Sequence, residues 1–284
     1  MIETLEIIYF GKPESRRRTW EASVFLAAIL CLFFLAGTVL GQAPEPTIPV
    51  SQMNAQQLEA RGDAFRSQKD PVSALDSYTR AVGKDPKNAI LWNKLGMTQL
   101  QLGASAQGVE RMRRYGEARQ SFERAVKLKK DYAEAVNNIG VVYYQQEDFR
   151  RAINQYKKAL EIHPTASFHS NLGSVYFAQK KFPEATQEYY EALRLDPEVF
   201  ERSSATGLLG RVSTPADRAK YAIMLAKLYA QLGDVDHSLV QIRRALENGY
   251  TELDPLYNDA EFSAVRKDPR FTELMQNKPA VLPE

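Results

Sequence analysis

One cysteine, three histidines and two tryptophans are all that 284 residues contain of these types. A single thiol closes no intrachain disulfide, and three scattered histidines without a cysteine pair leave no zinc ligand set. Charge of one sign is missing too: 37 basic residues against 35 acidic ones leave +2, so no global field favours nucleic acid. Equally absent are a phosphate-cradling glycine loop, a serine elbow and the paired histidines of a metalloprotease helix. Carboxylates are plentiful but scattered at helix-surface spacings. The expectation is a non-enzyme with no catalytic residue, no metal, no cofactor and no small-molecule substrate.

Long apolar runs are absent except for one. Residues 22–41, ASVFLAAILCLFFLAGTVLG, carry no charge and follow Arg16, Arg17 and Arg18. At about 1.5 Å per residue they would reach about 30 Å, the thickness of a bilayer core. Small residues around 39–43 also suit signal peptidase, so an uncleaved anchor and a cleaved signal both fit. Either gives one topology: no Lys or Arg follows until Arg61, so the remainder is exported. The expected location is the periplasmic side of a bacterial inner membrane, single-pass if uncleaved and periplasmic if cleaved. Residues 42–54, with Pro44, Pro46 and Pro49, are expected to form an extended linker.

What the chain does have is a period. Aligning on glycine gives ARGDAF at Gly62, KLGMTQ at Gly96, NIGVVY at Gly140 and NLGSVY at Gly173. Twelve residues after three of these glycines stand Ala74, Ala152 and Ala185; four further on stand Tyr78, Tyr156 and Tyr189. Ala81, Ala159 and Ala192 follow, then Pro86, Pro164 and Pro197. A small residue lets two helices approach, the aromatic fills the gap, and proline ends the second helix. The glycines are packing residues.

This pattern resembles the tetratricopeptide repeat family, whose unit is about 34 residues long, and Trp92, Leu95 and Gly96 match its opening signature. The resemblance implies an all-α, right-handed solenoid of about five helix-turn-helix units. They are placed at 55–88, 89–132, 133–165, 166–199 and, degenerate, 219–252. Repeat two has Ala118, Phe122 and Ala125 ten residues late, so the segment Gly103 to Met112 is expected to lengthen the turn between its helices. Repeat five has Ala226 in the glycine slot, with Ser238, Ile242 and Ala245 following. Residues 200–218 read as an irregular connector. Residues 253–275 read as two short helices that cap the last hydrophobic face.

In this family the first helix of each unit lines the concave surface. Mapped here, the groove positions are Asn93, Lys94, Met97 and Leu100; Asn137, Asn138, Val141 and Tyr144; and Ser170, Asn171, Ser174 and Phe177. An amide carries donors and an acceptor, so Asn138 and Asn171, with Asn93 or Lys94, could bond a peptide backbone without reading its side chains. Tyr144 and Phe177 would add apolar area. The competing expectation is that the asparagines bond locally between helices or to water and simply tolerate exposure. A carboxylate clamp is disfavoured, because Lys94 has no basic counterpart in repeats three and four.

Residues 111–130 hold eight Lys or Arg against Glu117 and Glu123, read as the solvated face of a long helix rather than a lipid site. Arg61-Gly62-Asp63 is discounted as an adhesion motif because Gly62 packs inside a helix. His163, His169 and His237 lack metal-ligand spacing. The expected function is a protein-interaction scaffold that binds an extended peptide segment of another protein, with membrane contact through the N-terminal helix if uncleaved and no nucleic-acid partner. The alternative is a structural subunit of an envelope, secretion or pilus complex that packs by its edges or convex face.

Overall fold

In the computed structural model the described residues are 48–203 and 214–282. The apolar run 22–41, residues 42–47 of the expected linker and residues 204–213 of the expected connector lie outside them. No helix among the described residues is long and apolar enough to cross a membrane. Residues 48–53 contain one turn of 3-10 helix, Val50–Gln52, where an extended linker was expected.

From Asn54 onward the described residues are helical, with no strand among them. Antiparallel partners follow one another: α1 (Ala55–Ser67) with α2 (Pro71–Lys84), α3 (Ala89–Ser105) with α4 (Gly108–Leu128), α5 (Ala133–Gln145) with α6 (Phe149–Ile162), and α7 (Ala166–Ala178) with α8 (Phe182–Leu195). A short α9 (Val199–Ser203) comes next, then the pair α10 (Pro215–Gln231) and α11 (Val235–Glu247). The result is an all-α solenoid.

Side-chain caps fix where helices start. The Asn54 carboxamide accepts from the Gln57 amide, Asp70 from Ser73, Asp148 from Arg151 and Asp234 from His237, each satisfying a donor the helix cannot. Four corners share one geometry. Lys69, Glu147, Lys180 and Gly233 take positive φ (59°, 62°, 59° and 80°). Each stands seven residues after its unit's Gly62, Gly140, Gly173 or Ala226. At each corner the next amide donates back across the turn, as from Asp70 to the Phe65 carbonyl at 2.9 Å.

Within each pair, an aromatic ring lies flat on bare backbone. A Cβ at Gly140 would stand 2.7 Å from Cε1 of Tyr156, and the same relation joins Gly62 to Tyr78, Gly96 to Phe122 and Gly173 to Tyr189. Ala74, Ala118, Ala152 and Ala185 are fully buried beside those rings.

The extra residues of the second pair do not lengthen its turn, which is only Ala106 and Gln107. They lengthen both helices, to 17 and 21 residues against 13 and 14 in the first pair. The reason is a second glycine–aromatic contact: a Cβ on Gly103 would come 2.7 Å from the Tyr115 ring, so helix pairing continues two turns further out.

The expected connector shrinks. Residues 200–203 belong to α9 and residues 215–218 to α10. The tail has three short helices and a 3-10 turn, not two helices: α12 (Asp254–Asn258), Ala260–Phe262, α13 (Ser263–Lys267) and α14 (Pro269–Gln276). Leu256, Phe262, Val265, Phe271 and Leu274 cover Ala226, Leu239, Ile242 and Leu246 of the last pair. Burial of that apolar surface is what holds the tail down.

Candidate binding face

The first helices α1, α3, α5 and α7 lie side by side, and hydrogen bonds between side chains link them. The Asn171 amide donates to Asn137 Oδ1 at 2.9 Å, and Asn138 donates to Asn93 Oδ1 at 3.0 Å. Within α5, Asn137 donates to Asn138 Oδ1 at 3.4 Å, and in α3 Asn93 donates to Met97 Sδ at 3.8 Å. The result is a continuous amide ladder across three units. It ends on a thioether, a weak acceptor. Asn93 and Asn137 are buried, at 7% exposure each, whereas Asn138 and Asn171 are half-buried and open to solvent.

An ionic cluster continues the ladder towards α1. The Lys94 ammonium lies 2.7 Å from Glu59 and 2.7 Å from Asp63, and the Tyr78 hydroxyl donates to Asp63 at 2.6 Å. Burial pushes the Asp63 carboxyl up, but Lys94 and Tyr78 outweigh it and hold the group below its ordinary value. Lys94 therefore cannot serve as a single cation awaiting a ligand. Its two partners obey the positional rule applied to the later units: Glu59 stands three residues before Gly62 and Asp63 one after. The same count extended to the first unit finds them.

Several groove positions are less available than the sequence implied. Tyr144 and Phe177 are 3% and 7% exposed. Phe149 packs on Tyr144 with ring centres 5.9 Å apart, and Phe182 and Tyr221 pack on Phe177 at 5.4 and 5.5 Å. These rings belong to the core, because the next helices supply aromatic neighbours that cover them. Ser170 is buried as well. Ser174 donates to the Ser170 carbonyl at 2.8 Å and accepts from the Tyr189 hydroxyl at 3.2 Å. Met97, Leu100, Asn138, Val141 and Asn171 are half-buried: two amides and three apolar side chains that pack in part against the core.

Val141 occupies the position that Asp63 and Ser174 hold in the first and fourth units, yet has no acceptor. Beneath it the Tyr156 hydroxyl is buried without a hydrogen-bond partner among the described residues. Burial pushes that phenol well above its ordinary value.

Elsewhere the charged features close on themselves. Arg113 and Arg114 both bond Glu110 and Glu117, and Arg119 bonds Glu123, all along one helix. His169 pairs with Glu188 at 2.7 Å and His237 with Asp234 at 2.6 Å. Among the described residues there is no group of three or more His, Cys, Asp or Glu placed to hold a metal.

Among known families, a tetratricopeptide repeat model matches residues 59–110 and 140–199, and a TPR repeat model matches residues 114–147. No curated protein matches the chain. Among solved structures, a thermophilic TPR protein from Thermus thermophilus is 21% identical over 78% of this chain and 100% of its own, with a TM-score of 0.46. A crystal structure of MamA is 21% identical over 66% of this chain and 93% of its own, TM-score 0.44. The first TPR of Spaghetti (RPAP3), bound to the HSP90 peptide SRMEEVD, is 21% identical over 44% and 95%, TM-score 0.39.

Proposed function

We propose, from the premise that the helical pairs between residues 59 and 199 are tetratricopeptide repeats, that this protein is a non-enzymatic interaction scaffold. Its ligand is an extended peptide segment of a partner protein. The peptide lies along the inner face formed by α3, α5 and α7.

The observation that carries this reading is the amide ladder from Asn171 to Asn93. Each rung spends one N–H and one lone pair on its neighbour. Asn138 retains a second N–H and a second lone pair, and Asn171, which only donates in the ladder, retains a second N–H and both lone pairs. Their orientation is fixed before a ligand arrives, which removes part of the ordering cost of binding. Met97, Leu100 and Val141 flank the amides and would take apolar side chains of the peptide.

The exported location belongs to this proposal as well, and rests on Arg16, Arg17 and Arg18 ahead of the run 22–41. Protease added to spheroplasts should digest the repeats; protection would reverse the topology.

The test of the groove is a photo-crosslinker at position 138 in cells, with capture read by mass spectrometry. One dominant partner is expected, lost on Asn171→Ala with helix content unchanged. Equal capture from a crosslinker at exposed Val72, on a second helix, would reject the groove.

A second reading has its own observation. The extended α3–α4 hairpin ends in Val109 and Met112, which are 87% and 54% exposed. Exposed apolar tips suit assembly with other subunits. A stable oligomer of the ligand-free protein in solution, dispersed by Val109→Asp, would favour that reading.

A further inference from the structure

A second site lies away from the ladder. A cavity of about 160 Å³ opens between α9, α10 and α11. Its floor is apolar, made by Phe200, Ala222 and Leu225. Its rim is polar: Arg218, Gln241 and Arg244. That volume is several times what one water needs.

Three details bear on what this rim can hold. Gln241 is 2% exposed, although a buried amide demands partners. Its Nε2 reaches Glu201 Oε1 at 3.5 Å, and the Arg244 guanidinium meets the two oxygens of the same carboxylate at 3.4 and 3.3 Å. The fork-on-fork arrangement is the one guanidinium prefers, yet all three contacts are longer than the about 2.7–2.9 Å of a settled charge-assisted bond. Asn248 sets the other wall: it accepts from Arg218 Nε at 2.7 Å and donates to the Arg244 carbonyl at 2.7 Å.

We infer that this cavity binds a carboxylate carried on a compact apolar body, and that Glu201 is its internal competitor. The ligand's oxygens would take the Glu201 place on Gln241 and Arg244, and its apolar part would rest on Phe200 and Leu225. Nothing in this inference depends on the inner-face groove, which shares no residue with the cavity. The same chemistry could come from a free aliphatic acid or from a protein chain that ends in an apolar residue.

Calorimetric titration of the full chain with 4-methylpentanoate tests it, with 4-methylpentanamide as the uncharged isostere. The acid should bind saturably at millimolar concentration or below, and the amide at least tenfold more weakly. Glu201→Gln should tighten the acid about fivefold or more by removing the competitor, and Arg244→Gln should abolish binding. Equal affinity for acid and amide overturns the inference, as does an unchanged affinity in Glu201→Gln. Absence of binding to both the wild type and Glu201→Gln does so too. These outcomes hold even should Arg244→Gln unfold locally. A peptide ending in leucine separates the sources: binding assigns a chain terminus, and its exclusion while the free acid binds assigns a small molecule.

Discussion

Replacing Tyr156 by phenylalanine should stabilise this protein, although the same change at the equivalent Tyr189 or Tyr78 should weaken it. The three rings sit alike on Gly140, Gly173 and Gly62. Their hydroxyls do not: Tyr78 donates to Asp63, Tyr189 to Ser174, and Tyr156 to nothing among the described residues. An unsatisfied buried hydroxyl costs about 1–3 kcal/mol. Against its removal stands the void of one oxygen, a few tenths of a kcal/mol at about 24 cal/mol per Å³. The expected net gain is about 1–2 kcal/mol. Tyr189→Phe instead deletes a neutral hydrogen bond and should lose about 1 kcal/mol, and Tyr78→Phe, with an ionised acceptor, about 1.5–3. Urea unfolding of the full chain gives the totals. Amide exchange in α5 and α6 gives the local value, because a repeat array need not melt as one unit. A loss of about 1 kcal/mol or more in Tyr156→Phe would refute the reasoning. Val141→Thr provides an internal check: it offers an oxygen where Asp63 and Ser174 do, so Tyr156→Phe in that background should change sign.

Gly140→Ala should cost about 1–2 kcal/mol, as overpacking against Tyr156 outweighs the helix-propensity gain, whereas Gly116→Ala, with nothing within 4 Å, should gain up to about 1 kcal/mol; thermal melts compare them. The Asp63 carboxyl is held below its ordinary value, so its contribution is present above an unfolded pKa of about 3.9 and is lost as pH falls through the folded one. Lys94→Met leaves Glu59 and Asp63 facing each other. That variant should be weaker at neutral pH and regain part of the loss as acid protonates a carboxylate, opposite to the wild type in urea titrations across that range. Phe262→Ala should cost about 3–5 kcal/mol and release the tail to limited proteolysis while α1 to α8 stay resistant.

The pairs Gly62–Tyr78, Gly140–Tyr156 and Gly173–Tyr189 were legible because each depends on two residues at one shared spacing within a hairpin, and Gly96–Phe122 because its alanines shift with it. Gly103 and Tyr115 follow no such recurrence, each standing one heptad from Gly96 and Phe122, so the added residues read as loop where the structure has helix. The amides at Asn93, Asn137, Asn138 and Asn171 were legible as a recurrence, while their mutual bonding stood only as the competing expectation. That bonding depends on how far α3 stands from α5, a distance no single unit encodes. The burial of Tyr144 and Phe177 follows from Phe149, Phe182 and Tyr221, residues outside the positions that define the groove. The carboxylate cavity had no signal at all, since its residues come from α9, α10 and α11 and share no period.

The corners at Lys69, Glu147 and Lys180 grade the array along its axis. A residue with a Cβ in the left-handed region costs about 1 kcal/mol that glycine does not. The last pair turns on Gly233, while the first, third and fourth turn on charged residues. The first, third and fourth pairs thus carry a strain that the second, with its positive φ at Gly108, and the last are spared. Under pulling or dilute denaturant the array should therefore fray from Lys69 inwards and leave α10, α11 and their cap as the last folded remnant, so that unravelling has a direction.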